Sequence, residues 1–144
     1  MRIILTNILL FIAGSAMAQT NIAAGKVYGT WKKTGSPYKI NGQISVPKDS
    51  TLHIESGVKV EFQGAYMMHV YGSIQAIGKT ADTITFTPAN KTTGWQGIYV
   101  HKNKAGADSN LFAWCKFEYV KYFNYSAFKG HGAVFFDSVI NYGV

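Results

Sequence analysis

Paired carboxylates can act as general acid and base on a glycosidic bond. This sequence has seven carboxylate side chains: Asp49, Glu55, Glu61, Asp82, Asp108, Glu118 and Asp137. The four aspartates are far apart in sequence, and Asp49 and Asp82 sit in turn contexts, so turn roles outweigh a catalytic pairing. An eliminating enzyme would need a base and a group to neutralise a uronate carboxylate. His101, Lys102 and Lys104 are a small basic group, but they follow an apolar stretch and read as exposed loop residues. No acidic cluster suits calcium. His53, His69, His101 and His131 are too scattered for a metal signature. Nothing resembles a nucleophile elbow or a phosphate loop. No catalytic residue, metal or cofactor is therefore expected.

Aromatic side chains are the more suggestive material. Phe112, Trp114, Phe117, Tyr119, Tyr122, Phe123, Tyr125 and Phe128 crowd one short stretch. Core filling is the first reading for the run as a whole. Alternation places Trp114, Lys116 and Glu118 on one face and Cys115, Phe117 and Tyr119 on the other. Outward rings can stack on sugars, and Trp114 and Tyr122 are the residues expected to do so. Cys115, the single cysteine, lies in an apolar context and reads as a small buried hydrophobe, not a reactive thiol.

Short strands must position these groups. In Thr51–Phe62, Leu52 and Ile54 alternate with His53, then Val58, Val60 and Phe62 alternate with Lys59 and Glu61. Period-2 alternation means strands with one buried face, and Gly57 suits the corner between them. Patterns at 44–46, 51–54 and 58–62 are echoed at 68–70, 73–77 and 84–88. Val46 aligns with Val70, Leu52 with Ile74, Val60 with Ile84, and Phe62 with Phe86. Less regular patterns follow at 95–100, 111–120 and 133–139. No sustained helical period appears. A repeat near 20–25 residues with three strands per repeat predicts an all-β solenoid, in which each strand bonds to its equivalent one coil on. Gln19–Lys26 reads as a leader and Tyr28–Tyr38 as a covering segment.

The run from Tyr28 to Val100 resembles the start of secreted bacterial right-handed parallel β-helix repeat proteins. The resemblance rests on Gly29-Thr-Trp31, Ser36-Pro-Tyr38, Gly42–Val46, Thr51–Phe62, Val70–Gly78, Asp82–Thr87 and Trp95–Ile98. It departs at Ser56-Gly57, where that family usually has Pro-Gly. It implies an N-terminal cap and first coils, and a secreted or surface-attached protein; relatives often continue into more coils and a C-terminal sorting domain. It brings no catalytic motif. Related β-helix lyases commonly use Arg or Lys as base with calcium, and the only arginine here is Arg2.

Arg2, the apolar stretch Ile3–Ala13 and Ala16-Met17-Ala18 have the form of a secretory signal cleaved after Ala18. The expected organisation is signal peptide 1–18, leader and cap 19–43, and β-helix coils 44–144. Asn141–Val144 follows a strand pattern without a cap, so a fragment of a longer solenoid is expected, with 130–144 as a terminal edge the alternative. The net charge of +7 comes from dispersed lysines, which with export argues against nucleic acid as partner. No later stretch is apolar enough to span a membrane. The expectation is a secreted or cell-surface, non-catalytic, adhesin-like scaffold that binds polysaccharide or a surface glycan. The alternative is the N-terminal part of a polysaccharide lyase or glycoside hydrolase whose catalytic coils lie beyond residue 144.

Overall fold

The computed structural model describes residues 18–101, 110–121 and 132–137. The expected signal segment, Lys102, Lys104, Asp108, Tyr122 and His131 lie outside the described residues, apart from Ala18. The rest is a right-handed parallel β-helix built from fourteen short strands among the described residues.

Five rungs are visible. The first holds β1 (Thr20–Ile22), β2 (Gly25–Lys26) and β3 (Gly29–Trp31), and the second β4 (Tyr38–Ile40), β5 (Ile44–Val46) and β6 (Thr51–Ile54). The third holds β7 (Lys59–Phe62), β8 (Met68–Val70) and β9 (Ser73–Ile77), and the fourth β10 (Ile84–Pro88), β11 (Ile98–Val100) and β12 (Leu111–Ala113). β13 (Cys115–Phe117) and β14 (Val134–Phe136) belong to the fifth. Every third strand pairs in parallel, giving three sheets: β1-β4-β7-β10-β13, β2-β5-β8-β11-β14 and β3-β6-β9-β12. Each rung alone is too thin to bury its inward side chains, so stacking supplies the core.

The inward residues expected from alternation are all buried: Ile44, Val46, Leu52, Ile54, Val58, Val60, Phe62, Val70, Ile74, Ile84 and Phe86. They pile like on like. Ile44, Met68, Ile98 and Val134 form one column, and Val46, Val70 and Val100 run beside it. Aromatic rings stack through the centre, Phe62 on Trp95 with centroids 4.2 Å apart and Phe86 on Phe117 at 5.0 Å. The Trp95 indole N–H, which would be costly to bury unpaired, donates to the Glu118 carbonyl at 2.8 Å.

Two details differ from the sequence reading. Tyr28–Tyr38 is no covering segment: β3 within it pairs with β6 and places Gly29 beside Leu52 and Trp31 beside Ile54. Strand pairing begins at Thr20, where two- and three-residue strands are too short to display alternation. The register between β7 and β10 is also shifted by two. Val60 lies beside Phe86, not Ile84, and Phe62 beside Pro88. The corner after β9 doubles back through an antiparallel bridge between Lys79 and Asp82 and takes up the extra residues. A shift of two leaves the inward face unchanged, so alternation cannot detect it. The corner at Gly57 is as expected, with φ +75°.

Candidate functional site

The described aromatic residue singled out from sequence, Trp114, adjoins β13. Trp114 precedes the strand at the corner from β12 and is 57% exposed. Tyr119 follows the strand and is 46% exposed. Both have left-handed backbones, φ +50° and +51°. The only other non-glycine residue of this kind among the described residues is Asp49, in a turn. Asp tolerates that conformation, whereas a bulky aromatic does not adopt it readily. The surrounding ladder holds both. The Trp114 carbonyl accepts from the Ile84 N–H, and the Gly78 N–H bonds to Ala113 just before it. Around Tyr119, the Glu118 N–H bonds to Phe86 and the Lys121 N–H to Trp95. The parity expected for Tyr119 fails, because the φ reversal turns it out of the face shared by Cys115 and Phe117.

Between the two rings, the outer face of β13 is polar. Lys116 pairs with Glu118 at 2.6 Å, and this hydrogen bond, with another from Thr87, holds the Glu118 carboxyl below the usual carboxylate range. The Lys91 ammonium stands 5.0 Å from the Tyr119 ring centroid, close enough for a cation–π contact. The remaining described aromatics of the run behave as core: Phe112 and Phe117 pack against the buried cluster.

A second cluster lies on the outer face of the sheet containing β8 and β11. The Nδ1 of His69 is 3.0 Å from the Nε2 of His101, and the Gln43 amide nitrogen is 2.8 Å from the Nε2 of His69. Because an amide nitrogen only donates, His69 Nε2 accepts from Gln43. His69 Nδ1–H then donates to His101 Nε2. Tyr71 stacks on His101 at 3.9 Å between centroids, and Tyr99 meets it edge-on at 4.3 Å. Burial lowers the pKa of both histidines; His69 lowers that of His101 further, and Asp137 partly offsets this. Sequence spacing treats these histidines as scattered. The signal was in the triplets His69-Val-Tyr71 and Tyr99-Val-His101, which the register lays side by side, His69 against Tyr99.

Three of the other candidates, Asp82, Glu55 and Glu61, have structural partners. Asp82 binds Lys33 at 2.7 Å, and Glu55 accepts from the Lys33 backbone N–H at 2.9 Å. Glu61 pairs with Lys59. Asp49 sits in a turn, and His53 is exposed on the outer face of β6. The Cys115 thiol shares its one proton between the carbonyls of Ala76 and Ala113, and burial pushes its pKa up to about 11. Among the described residues no three His, Cys, Asp or Glu side chains converge as a metal-binding group, and no helix is long and apolar enough to cross a membrane. No family model, no curated protein and no solved structure matches the chain.

Proposed function

We propose that this chain is an exported, non-catalytic β-helix module of the secreted bacterial repeat-protein type, and that it binds polysaccharide along β13. Trp114 and Tyr119 stack on sugar rings at the two ends of the strand, and Lys116 and Glu118 meet hydroxyl or carboxylate groups between them. The observation that carries this reading is the pair of exposed aromatics in left-handed backbone. Such conformations cost about 1–3 kcal/mol each and cluster at ligand sites. Two flanking one strand, both displaying rings to water, favour recognition over packing. Five residues of extended chain span at most about 16 Å at ~3.3 Å per residue, which suits a short stretch of glycan. Lys91 and Lys116 both act on Glu118 electrostatically, so the strip carries a positive excess that favours uronate-bearing chains. Asp82, Glu61 and Glu118 are engaged in ion pairs and Asp49 sits in a turn, which supports binding without bond cleavage.

Affinity electrophoresis of the purified chain through neutral and uronate polysaccharides tests this. The expected result is retardation by at least one polymer, strongest for an anionic one and weaker as salt rises, because exposed charges are screened over ~8–10 Å. Parallel assays for reducing ends and for unsaturated products should stay at background with and without calcium. New ends or new absorbance would overturn the non-catalytic reading, and free migration through every polymer would overturn the binding one.

A further inference from the structure

We propose that His69 and His101 together chelate one divalent ion of the copper–nickel class on the outer face of the second sheet. The proposal concerns a different face from β13 and stands or falls independently of glycan binding.

The two imidazoles come from hydrogen-bonded neighbouring strands. β8 contributes His69 from within, and His101 is the first residue after β11. Their facing nitrogens are 3.0 Å apart. With metal–nitrogen bonds of about 2.05 Å, that separation subtends about 94° at the ion. A right angle suits tetragonal Cu(II) or Ni(II) better than tetrahedral zinc, and Cu(II) heads the divalent affinity order. Ring centroids 5.2 Å apart set the imidazoles nearly end to end. Each ring therefore tips about its Cβ–Cγ bond so that the two lone pairs converge to one side.

The surroundings support that change. Tyr71 stacks on His101 and Tyr99 meets it edge-on, so aromatic rings flank the pair. Imidazole binds a metal through an unprotonated ring nitrogen, and His101 Nε2 already presents one to His69. The proton now shared between the rings moves from Nδ1 to Nε2 of His69, so no net proton is released. Gln43 turns its amide, and its carbonyl oxygen then accepts from the new Nε2–H. A ligand histidine usually donates its other ring N–H in this way, and that bond fixes its orientation. The Asp137 carboxylate already interacts electrostatically with His101 and favours added positive charge. Water completes the coordination.

The probe is Cu(II) alone, titrated into the chelator-treated full chain near neutral pH. One ion should bind per chain, with a paramagnetic spectrum of axial symmetry and pulsed-resonance modulation from two imidazoles. His69→Asn and His101→Asn should each weaken binding at least ten-fold, and Gln43→Ala about ten-fold. His53→Asn, on another sheet, should leave it unchanged. Melting in chelator checks that each variant remains folded. The spectrum of the unmodified chain gives an answer even if a variant does not fold. Modulation from one imidazole or none, or equal binding by the His69, His101 and His53 variants, would overturn the proposal.

Discussion

Val60→Asp tests the register and the core together. Val60 is fully buried, between Tyr38 and Phe86 in one inward column. Losing the valine side chain forfeits about 1.5–3 kcal/mol of apolar burial. The new carboxyl has no partner in that column and must be protonated to stay inside. Taking a carboxyl of ordinary pKa ~3.9 to its neutral form at pH 7 costs about 1.4 kcal/mol per pH unit, or about 4 kcal/mol. The total, about 6–7 kcal/mol, rivals the whole stability of a small domain, about 5–15 kcal/mol. Lys59→Asp, one residue away, changes a side chain that is 47% exposed and replaces its pairing with Glu61 by a solvent-screened like-charge contact. It should cost no more than about 1 kcal/mol. The assay is denaturant unfolding followed by tryptophan fluorescence at several pH values. The difference between the variants should shrink by about 1.4 kcal/mol for each pH unit from 7 towards 4. Val60→Ala, expected to cost about 2–3 kcal/mol through two lost methyls and a cavity, covers the case in which Val60→Asp does not fold. Equal midpoints for Val60→Asp and Lys59→Asp, or a gap independent of pH, would refute the assigned register.

Other outcomes follow from the same contacts. The Lys59 hydrogen bond lowers the Glu61 pKa, with Gln63 and Lys39 assisting against burial. Its contribution is therefore full above the ordinary carboxylate pKa and is lost as pH falls through the folded value. Glu61→Gln should be less stable than the natural chain by up to about 1 kcal/mol at pH 7, and the two should converge in acid, as read by thermal melts. Gly72→Ala should destabilise more than Gly57→Ala in the same measurement. A Cβ at 72 would collide with the backbone carbonyls of Pro47 and Ser50, whereas at 57 it adds the strain of φ +75° and meets the Asp82 side chain, which can move. Cys115 should resist alkylation at pH 8 while folded and react once denatured, since its thiol titrates near 11. Cleavage after Ala18 in a bacterial secretion host should leave Gln19 as the first residue, as read by mass spectrometry of protein expressed from Met1.

The fold was legible where side chains alternate over four or more residues. Val58, Val60 and Phe62 declare an inward face because every second residue between them is charged, and the structure buries all three. Strands as short as Gly25–Lys26 show no alternation and are visible only through their pairing with Ile44 and Ser45. Register was legible between β5 and β8, where Val46 meets Val70. It was lost between β7 and β10, because the Lys79–Asp82 corner changes length without changing parity. The functional groups follow the same rule. Trp114 was legible as an outward ring. The exposure of Tyr119 depends on a backbone reversal that its side-chain type disfavours, so alternation pointed it inward. His69 and His101 meet only once a register is known.

The proposed sugar-binding pair is Trp114 and Tyr119, which flank β13. Calorimetric titration of the best-retained polysaccharide into the natural chain and into Trp114→Ala, Tyr119→Ala and Tyr28→Ala is the most direct measurement. Tyr28 is 66% exposed and precedes β3, on another sheet, so it controls for any exposed ring. Stacking contributes about 0.5–1.5 kcal/mol per ring beyond area burial. Affinity should therefore fall about ten-fold in Trp114→Ala and in Tyr119→Ala and hold in Tyr28→Ala. Unchanged affinity in Trp114→Ala and Tyr119→Ala, or an equal loss in Tyr28→Ala, would contradict the account.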